Sequence, residues 1–203
     1  MTVFVFVRHA VTNHTGKRLS GWAPDVHLSP AGRKQAEAAA EALASLPLKA
    51  VYSSPIDRAV ETARPIAARH GLRVRLRDRI GEVGYGDWTD KPLKSLVRTK
   101  LWAQVQRWPS AARFPNGESL REVQARAVGE IERMRAAHPE QAVCCVTHAD
   151  VIKLITAHFL GLHLDLFQRM AIGPASITAI AIQDEGPMLL TLNQPPNGTI
   201  TLR

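Results

Sequence analysis

The sequence predicts an α/β fold: one domain in three layers, α/β/α, around a mainly parallel sheet. Three observations carry this. Short apolar, β-branched runs alternate with longer segments of helical composition, the pattern of strands joined by helical crossovers and covered on both faces. The length of 203 residues is within reach of a single α/β domain. No repeat, low-complexity stretch or linker divides the chain, so residues 1–193 read as one domain and residues 194–203 as a tail without clear pattern.

The elements follow in order. Residues 2–7 (TVFVFV) read as a buried strand that ends at Arg8-His9-Ala10, and a polar loop with Gly16, Ser20, Gly21 and Pro24 comes next. Ser29-Pro30 opens a helix, with serine as cap and proline in the first position, and residues 31–46 supply the Ala, Gln and Glu that favour it. Residues 48–52 read as the second strand. Ser54-Pro55 starts a helix over 56–70 that Gly71 closes and that Pro65 should kink. Residues 73–76 make a short third strand, and 81–92 a glycine-rich loop. Leu93, Leu96, Val97 and Leu101 give 93–107 helical spacing, which 109–117 breaks. An amphipathic helix over 119–137 ends at His138-Pro139. A buried strand at 142–147 leads into His148-Ala149 and a helix over 150–160. Residues 177–182 and 189–192 close the chain as a hairpin around 184–187.

Composition limits the class. At 45% hydrophobic and 22% charged residues the chain is ordinary for a globular protein. Its length lets it bury roughly 70% of its unfolded surface, so it needs no disulfide or metal staple. No apolar run approaches the ~20 residues of a membrane helix, and the apolar N-terminal run has no basic segment before it, unlike a secretory signal. A cytoplasmic location without membrane attachment is therefore expected. Cys144 and Cys145 are adjacent on one strand, so their side chains should point to opposite faces as unpaired, buried thiols. The excess of 26 basic over 18 acidic residues, +8, is spread along the chain rather than gathered on one face. That favours steering of a small anionic substrate over nucleic-acid binding. An edge at the apolar hairpin could pair two copies as a homodimer.

The chemistry concentrates at strand ends. Arg8-His9-Ala10 follows the first strand and Thr147-His148-Ala149 the last strong one, and parallel sheets bind ligands at the carboxyl ends of their strands. Ser53-Ser54-Pro55 and then Arg58 follow the second strand, where a helix start adds its own positive end. Taken singly, each of these residues has an ordinary packing or surface explanation; together they describe an anion site. An imidazole can attack phosphorus and form a covalent intermediate, while arginine forks hold phosphate oxygens. With Arg8, Arg58 and a protonated His148 around the phosphoryl group, no metal or other cofactor is needed. Glu82, in the glycine-rich loop, is the candidate for a carboxyl of raised pKa that protonates the leaving group and then activates water.

The same residues carry a resemblance to the histidine phosphatase superfamily, the phosphoglycerate mutase-like group. Its opening Arg-His-Gly motif is similar to Arg8-His9-Ala10. Leu19-Ser20-Gly21-Trp22, Leu28-Ser29-Pro30-Ala31-Gly32 with Gln35-Ala36, and Ser53-Ser54-Pro55-Ile56-Asp57-Arg58-Ala59 with Thr62 resemble the next blocks. Glu82-Val83-Gly84-Tyr85-Gly86-Asp87-Trp88, Asn116-Gly117-Glu118-Ser119 and Val146-Thr147-His148-Ala149 resemble the last three. The resemblance implies that His9 is the phosphorylated nucleophile, that Arg8, Arg58 and His148 bind the phosphoryl group, and that Glu82 is the acid and base. It also points to Asn13, Thr15, Ser20, Gly21 and Ala149 as substrate-binding positions. Ala10 and Ala149 stand where glycine is usual; alanine at residue 10 would be strained if the backbone there required positive φ.

The expected function is therefore a metal-independent phosphomonoester hydrolase working through phosphohistidine on a small phosphorylated metabolite. The alternatives are a phosphoglycerate mutase-type phosphomutase and a non-catalytic phosphate-binding protein. The resembled glycolytic mutases have a longer insertion where this chain has only residues 89–116, and a shorter cover leaves the intermediate open to water. Within that cover Lys91, Lys94, Arg98, Lys100, Arg107 and Arg113 suggest a second anionic group on the substrate. Trp88, Trp102 and Trp108 suggest either a ring-binding surface or packing of the cover itself.

Overall fold

The apolar runs become a six-stranded sheet. The computed structural model describes residues 1–197. Its elements in chain order are β1 (Thr2–Arg8), β2 (Arg18–Leu19), α1 (Pro30–Leu43), β3 (Leu48–Ser53), α2 (Asp57–Arg69), β4 (Val74–Leu76), β5 (Lys91–Pro92), α3 (Leu93–Leu96), α4 (Lys100–Arg107), α5 (Leu120–Ala137), β6 (Ala142–Thr147), α6 (Ala149–Phe159), β7 (Ile177–Ile182) and β8 (Pro187–Gln194). The strand order is β4-β3-β6-β1-β7-β8. β4, β3, β6 and β1 run parallel; β7 returns antiparallel beside β1, and β8 antiparallel beside β7. β2 and β5 form a separate antiparallel pair.

Alternation along β1 distributes its side chains between two cores. Phe4 and Phe6 pack with residues of α5 and α6, while Val3, Val5 and Val7 pack with α1 and α2. Burying each of these side chains is worth about 1.5–3 kcal/mol, so the central strand anchors both layers. The two cysteines divide in the same way, Cys144 toward α1 and α2 and Cys145 toward α5 and α6, both buried and unpaired. Burial pushes the Cys144 thiol up to about 12, which makes it unreactive.

Local signals act where expected. Ser29 accepts the N–H of Gly32 at 3.0 Å, and Ser119 and Glu122 form a reciprocal capping box on α5. Gly32 is required for close approach: a Cβ there would stand 2.0 Å from the Val11 carbonyl oxygen, which docks α1 against the loop after β1. Three boundaries differ from expectation. The span 93–107 is two helices, because Thr99 ends the first by donating to Leu96 O at 2.7 Å and caps the second by accepting from Trp102 N at 3.1 Å. α2 begins at Asp57 and continues through Pro65. β8 reaches Gln194, so the sheet claims the first residue of the expected tail; its residues 198–203 lie outside those described. No helix among the described residues is long and apolar enough to cross a membrane.

Candidate active site

Register brings the two histidines together. β1 and β6 are neighbouring parallel strands with Arg8 opposite Thr147, so the residues that follow, His9 and His148, leave the sheet side by side. Their ring centroids lie 5.2 Å apart, and His9 N donates to Thr147 O at 2.8 Å. β3 flanks β6 on its other side, and the chain past its end is tied in through Ser54 N to Val146 O at 2.9 Å. The helix that begins there, α2, carries Arg58 in its first turn. Three strand ends thus converge on a hollow of about 200 Å³ whose lining includes Arg8, His9, Thr15, Ser20, Gly21, Arg58, Glu82 and Ala149. His148 is fully buried beside it. Asn13 is exposed and does not line it, because the short loop that holds Thr15 through Thr12 turns Asn13 outward.

Hydrogen bonding fixes the tautomer of His9. Its Nδ1 lies 2.8 Å from the Ala10 carbonyl oxygen; a carbonyl only accepts, so Nδ1 carries the proton and Nε2 keeps a lone pair. Burial first, then Arg58 and Arg8, hold this imidazole well below its ordinary range, opposed by the bond to Ala10. Ala10 is absent from the positive-φ residues, so the alanine in place of the usual glycine is unstrained.

His148 departs from expectation. Its Nε2 is 2.8 Å from Ser54 Oγ, and Arg58 Nη2 lies 3.5 Å from its Nδ1. Burial, followed by Arg58 and His9, pushes it well below the ordinary histidine range. In the free protein this environment disfavours the protonated form, which the sequence predicts beside a bound phosphoryl group. A nitrogen facing a guanidinium is better placed to accept than to hold a charge.

The cationic role falls to the arginines. Arg8 Nη1 donates to Ile172 O at 2.6 Å and Arg58 Nη2 to Gly21 O at 2.8 Å. Gly21 supports this with φ of +52°, a conformation open to glycine. Among the described residues, Arg8 Nε and Arg58 Nη1 are buried and meet no hydrogen-bond partner. A buried unsatisfied donor costs ~1–3 kcal/mol, more when charged, and two such donors beside one hollow suit an oxyanion. Glu82 is the acidic member. Burial first and Asp150 second raise its carboxyl to about 7, against the opposing pull of Arg58, the Val83 N–H and Arg8. Its Oε1 accepts from Val83 N at 2.9 Å, and its Oε2 lies 3.6 Å from His148 Nδ1.

Sequence reasoning missed what holds Glu82. Its carbonyl accepts from Trp22 Nε1 at 2.7 Å and Arg126 Nη2 at 2.8 Å. Arg126 also donates to the carbonyls of Arg79 and Gly81, both at 2.9 Å, and forks onto Glu118 at 2.7 and 2.9 Å. Glu118 in turn accepts from Gly84 N at 2.7 Å. The matching blocks around residues 20, 82 and 118 are therefore one interlocked unit. Arg126 itself gives no local signal, being one of several arginines on an amphipathic helix. Thr62 braces the nucleophile loop, receiving the Ala10 N–H at 3.0 Å and donating to Arg58 O at 2.7 Å. Tyr85 donates to Asp150 at 3.1 Å on the rim.

The cover separates its two expected roles. Lys91, Lys94, Arg98, Lys100, Arg107 and Arg113 do not line the hollow, so they build no second anion site there. Trp88 is buried, 6.5 Å from Trp102 in a stacked arrangement and edge-on to Phe114 at 5.5 Å. Trp108 is 60% exposed.

A hollow at parallel strand ends, floored by paired imidazoles, walled by buried guanidinium groups and closed by a near-neutral carboxyl, defines an enzyme that handles phosphoryl groups. Comparison with known proteins narrows this. Residues 4–195 match the histidine phosphatase superfamily (branch 1), and the chain belongs to that superfamily. It is 32% identical over 198 residues to phosphoserine phosphatase 1 of Hydrogenobacter thermophilus, covering 95% of this chain and 92% of that protein. It is likewise 32% identical over 168 residues to glucosyl-3-phosphoglycerate phosphatase of Mycobacterium tuberculosis, covering 78% and 75%. The solved native structure of a mycobacterial glucosyl-3-phosphoglycerate phosphatase superposes with a TM-score of 0.85 at 28% identity, covering 95% of this chain and 98% of that one. The chain is a phosphomonoester hydrolase.

Proposed function

We propose that this hydrolase cleaves small phosphorylated metabolites in two steps, through a phosphohistidine on His9 and without a metal ion. The observation that carries the proposal is the His9 tautomer: Nδ1–H is engaged by Ala10 O at 2.8 Å, leaving Nε2 as the nucleophile. Arg8 and Arg58 receive the phosphoryl oxygens on their free N–H groups, and His148, held by Ser54 Oγ at 2.8 Å, backs Arg58 from beneath the hollow. Nε2 attacks phosphorus as the P–O bond to the leaving group breaks. Glu82, protonated up to about pH 7, gives its proton to the departing alkoxide. The resulting carboxylate then takes a proton from water as that water attacks the phosphohistidine. The P–N bond breaks, inorganic phosphate leaves, and His9 and Glu82 return to their starting states. Thr15, Ser20, Gly21 and Ala149 border the oxygens and the leaving group.

Two relatives are named for phosphoserine and for glucosyl-3-phosphoglycerate, which supports small phosphorylated metabolites as the substrate class. The test is brief incubation with a ³²P-labelled phosphomonoester followed by acid and alkaline treatment. Label that is lost in acid, retained in base and absent from His9→Ala supports the proposal. Turnover undiminished in His9→Ala overturns it.

A further inference from the structure

Resting on the phosphatase reading, we infer that a second hollow beside the phosphoryl site selects substrates whose alcohol part carries an uncharged ring, and disfavours alcohols bearing a carboxylate. This hollow, about 210 Å³, adjoins the catalytic one across Leu19, Tyr85 and Asp150, which line both. Its remaining walls are Trp88, Trp102, Val105 and Phe114, with Gln106 and Gln168.

Three features set the ligand class. The walls are aromatic and prearranged: the stacked Trp88 and Trp102 and the edge-on Phe114 hold one another in place, so they offer rigid faces to a ring. The tryptophans thus pack the cover together and still border an open hollow. Among the described residues no Lys, Arg or His lines the hollow, and Asp150 places a carboxylate on the wall shared with the phosphoryl site. Lys153, one turn along α6 from Asp150, is already committed to Gln168 Oε1 at 3.0 Å and lies 3.6 Å from the Asp150 carboxylate. A substrate carboxylate desolvated here would meet like charge and no free donor of positive charge. Asp150 and Gln106 instead offer acceptors to hydroxyl or N–H groups on the edge of a ring. The cations of the cover stay off its walls.

The test uses three monoalkyl phosphates of similar leaving-group chemistry: 2-phenylethyl phosphate, ethyl phosphate and phosphoserine. Burial of one phenyl ring against aromatic walls should raise kcat/KM at least about tenfold for 2-phenylethyl phosphate over each of the other two. Trp102→Ala should reduce the phenylethyl-to-ethyl ratio by roughly the same factor. Calorimetric binding of the three compounds to the catalytically silenced His9→Ala protein should follow the same order. Phosphoserine equal to or better than the ring compound, or a ratio unaltered in Trp102→Ala, overturns the inference. If no phosphate ester is hydrolysed at all, the phosphatase reading fails, and the binding order still decides what the second hollow accepts.

Discussion

Replacing Glu82 by glutamine should make the protein more stable in neutral and alkaline solution while impairing it as a catalyst. The carboxyl is buried and lies near Asp150, so it ionises in the folded state only at about 7 rather than the ordinary 4.5. Each factor of ten in acidity is worth about 1.4 kcal/mol, so ionised Glu82 burdens the fold by on the order of 3 kcal/mol. The sign follows from the raised value. Below 4.5 the group is protonated in both folded and unfolded chains and imposes nothing. Between 4.5 and about 7 the unfolded chain releases the proton while the folded one keeps it, so stability drains away as pH rises. Above about 7 the loss is complete. The Glu82→Gln substitution removes this dependence and keeps an oxygen for the Val83 N–H. For a chain of this length, ~3 kcal/mol corresponds to a rise in Tm of about 6–12 °C. Calorimetric or circular-dichroism melts of the parent and Glu82→Gln at about pH 4 and about pH 8.5, on either side of the titration, measure it. Matching melting points in acid and a higher Tm for the variant in alkali are expected; a variant equal to or below the parent in alkali refutes the assignment of burial as the cause.

Three further outcomes follow from the same site. Glu82→Gln should slow hydrolysis of alkyl phosphates by about 10²–10⁴-fold and spare p-nitrophenyl phosphate, whose leaving group needs no proton; equal losses on both count against an acid role. In the parent, kcat/KM for an alkyl phosphate should fall as pH rises through about 7 and hold steady on the acid side to well below the ordinary histidine range, since burial with Arg58 and Arg8 keeps His9 neutral there; a steep decline beginning at the ordinary histidine value of 6.5 contradicts that environment. Arg126→Met should weaken alkyl phosphate turnover more than nitrophenyl phosphate turnover, because it loosens the Glu82 backbone without touching His9. Uniform loss across both substrates points instead to general destabilisation.

Residues adjacent to strands are legible from sequence, and those acting at a distance are not. His9 and His148 stand directly after apolar runs whose strand character is unambiguous, and Arg58 opens the helix after a third, so their convergence can be read from topology. Glu82 lies in a loop, where its candidacy as the acid rests on chemical need and is reinforced by resemblance to a family pattern rather than by strand topology. Arg126 and Trp22 act on the Glu82 carbonyl through a fold in which residues far apart in sequence meet, and nothing in local spacing announces such a contact. The charge of His148 escapes sequence reading for a related reason: it depends on complete burial and on Arg58 opposite, and both are tertiary facts. Thr99 is a simpler case. The apolar spacing of 93–107 fits one helix, but a single hydroxyl that can bond backbone on either side is enough to restart it.

The position of β1 governs how the molecule can be made. Its partners are residues 142–147 on one side and 177–182 on the other, so β1 is synthesised more than a hundred residues before the first strand it pairs with. At ~5–20 residues per second, the interval is on the order of ten seconds. Throughout it, an apolar ribbon containing Phe4 and Phe6 has both edges open, and the nucleophile's surroundings do not yet exist. A chain that stops before residues 142–147 therefore yields a sticky, inert fragment rather than a weakened enzyme.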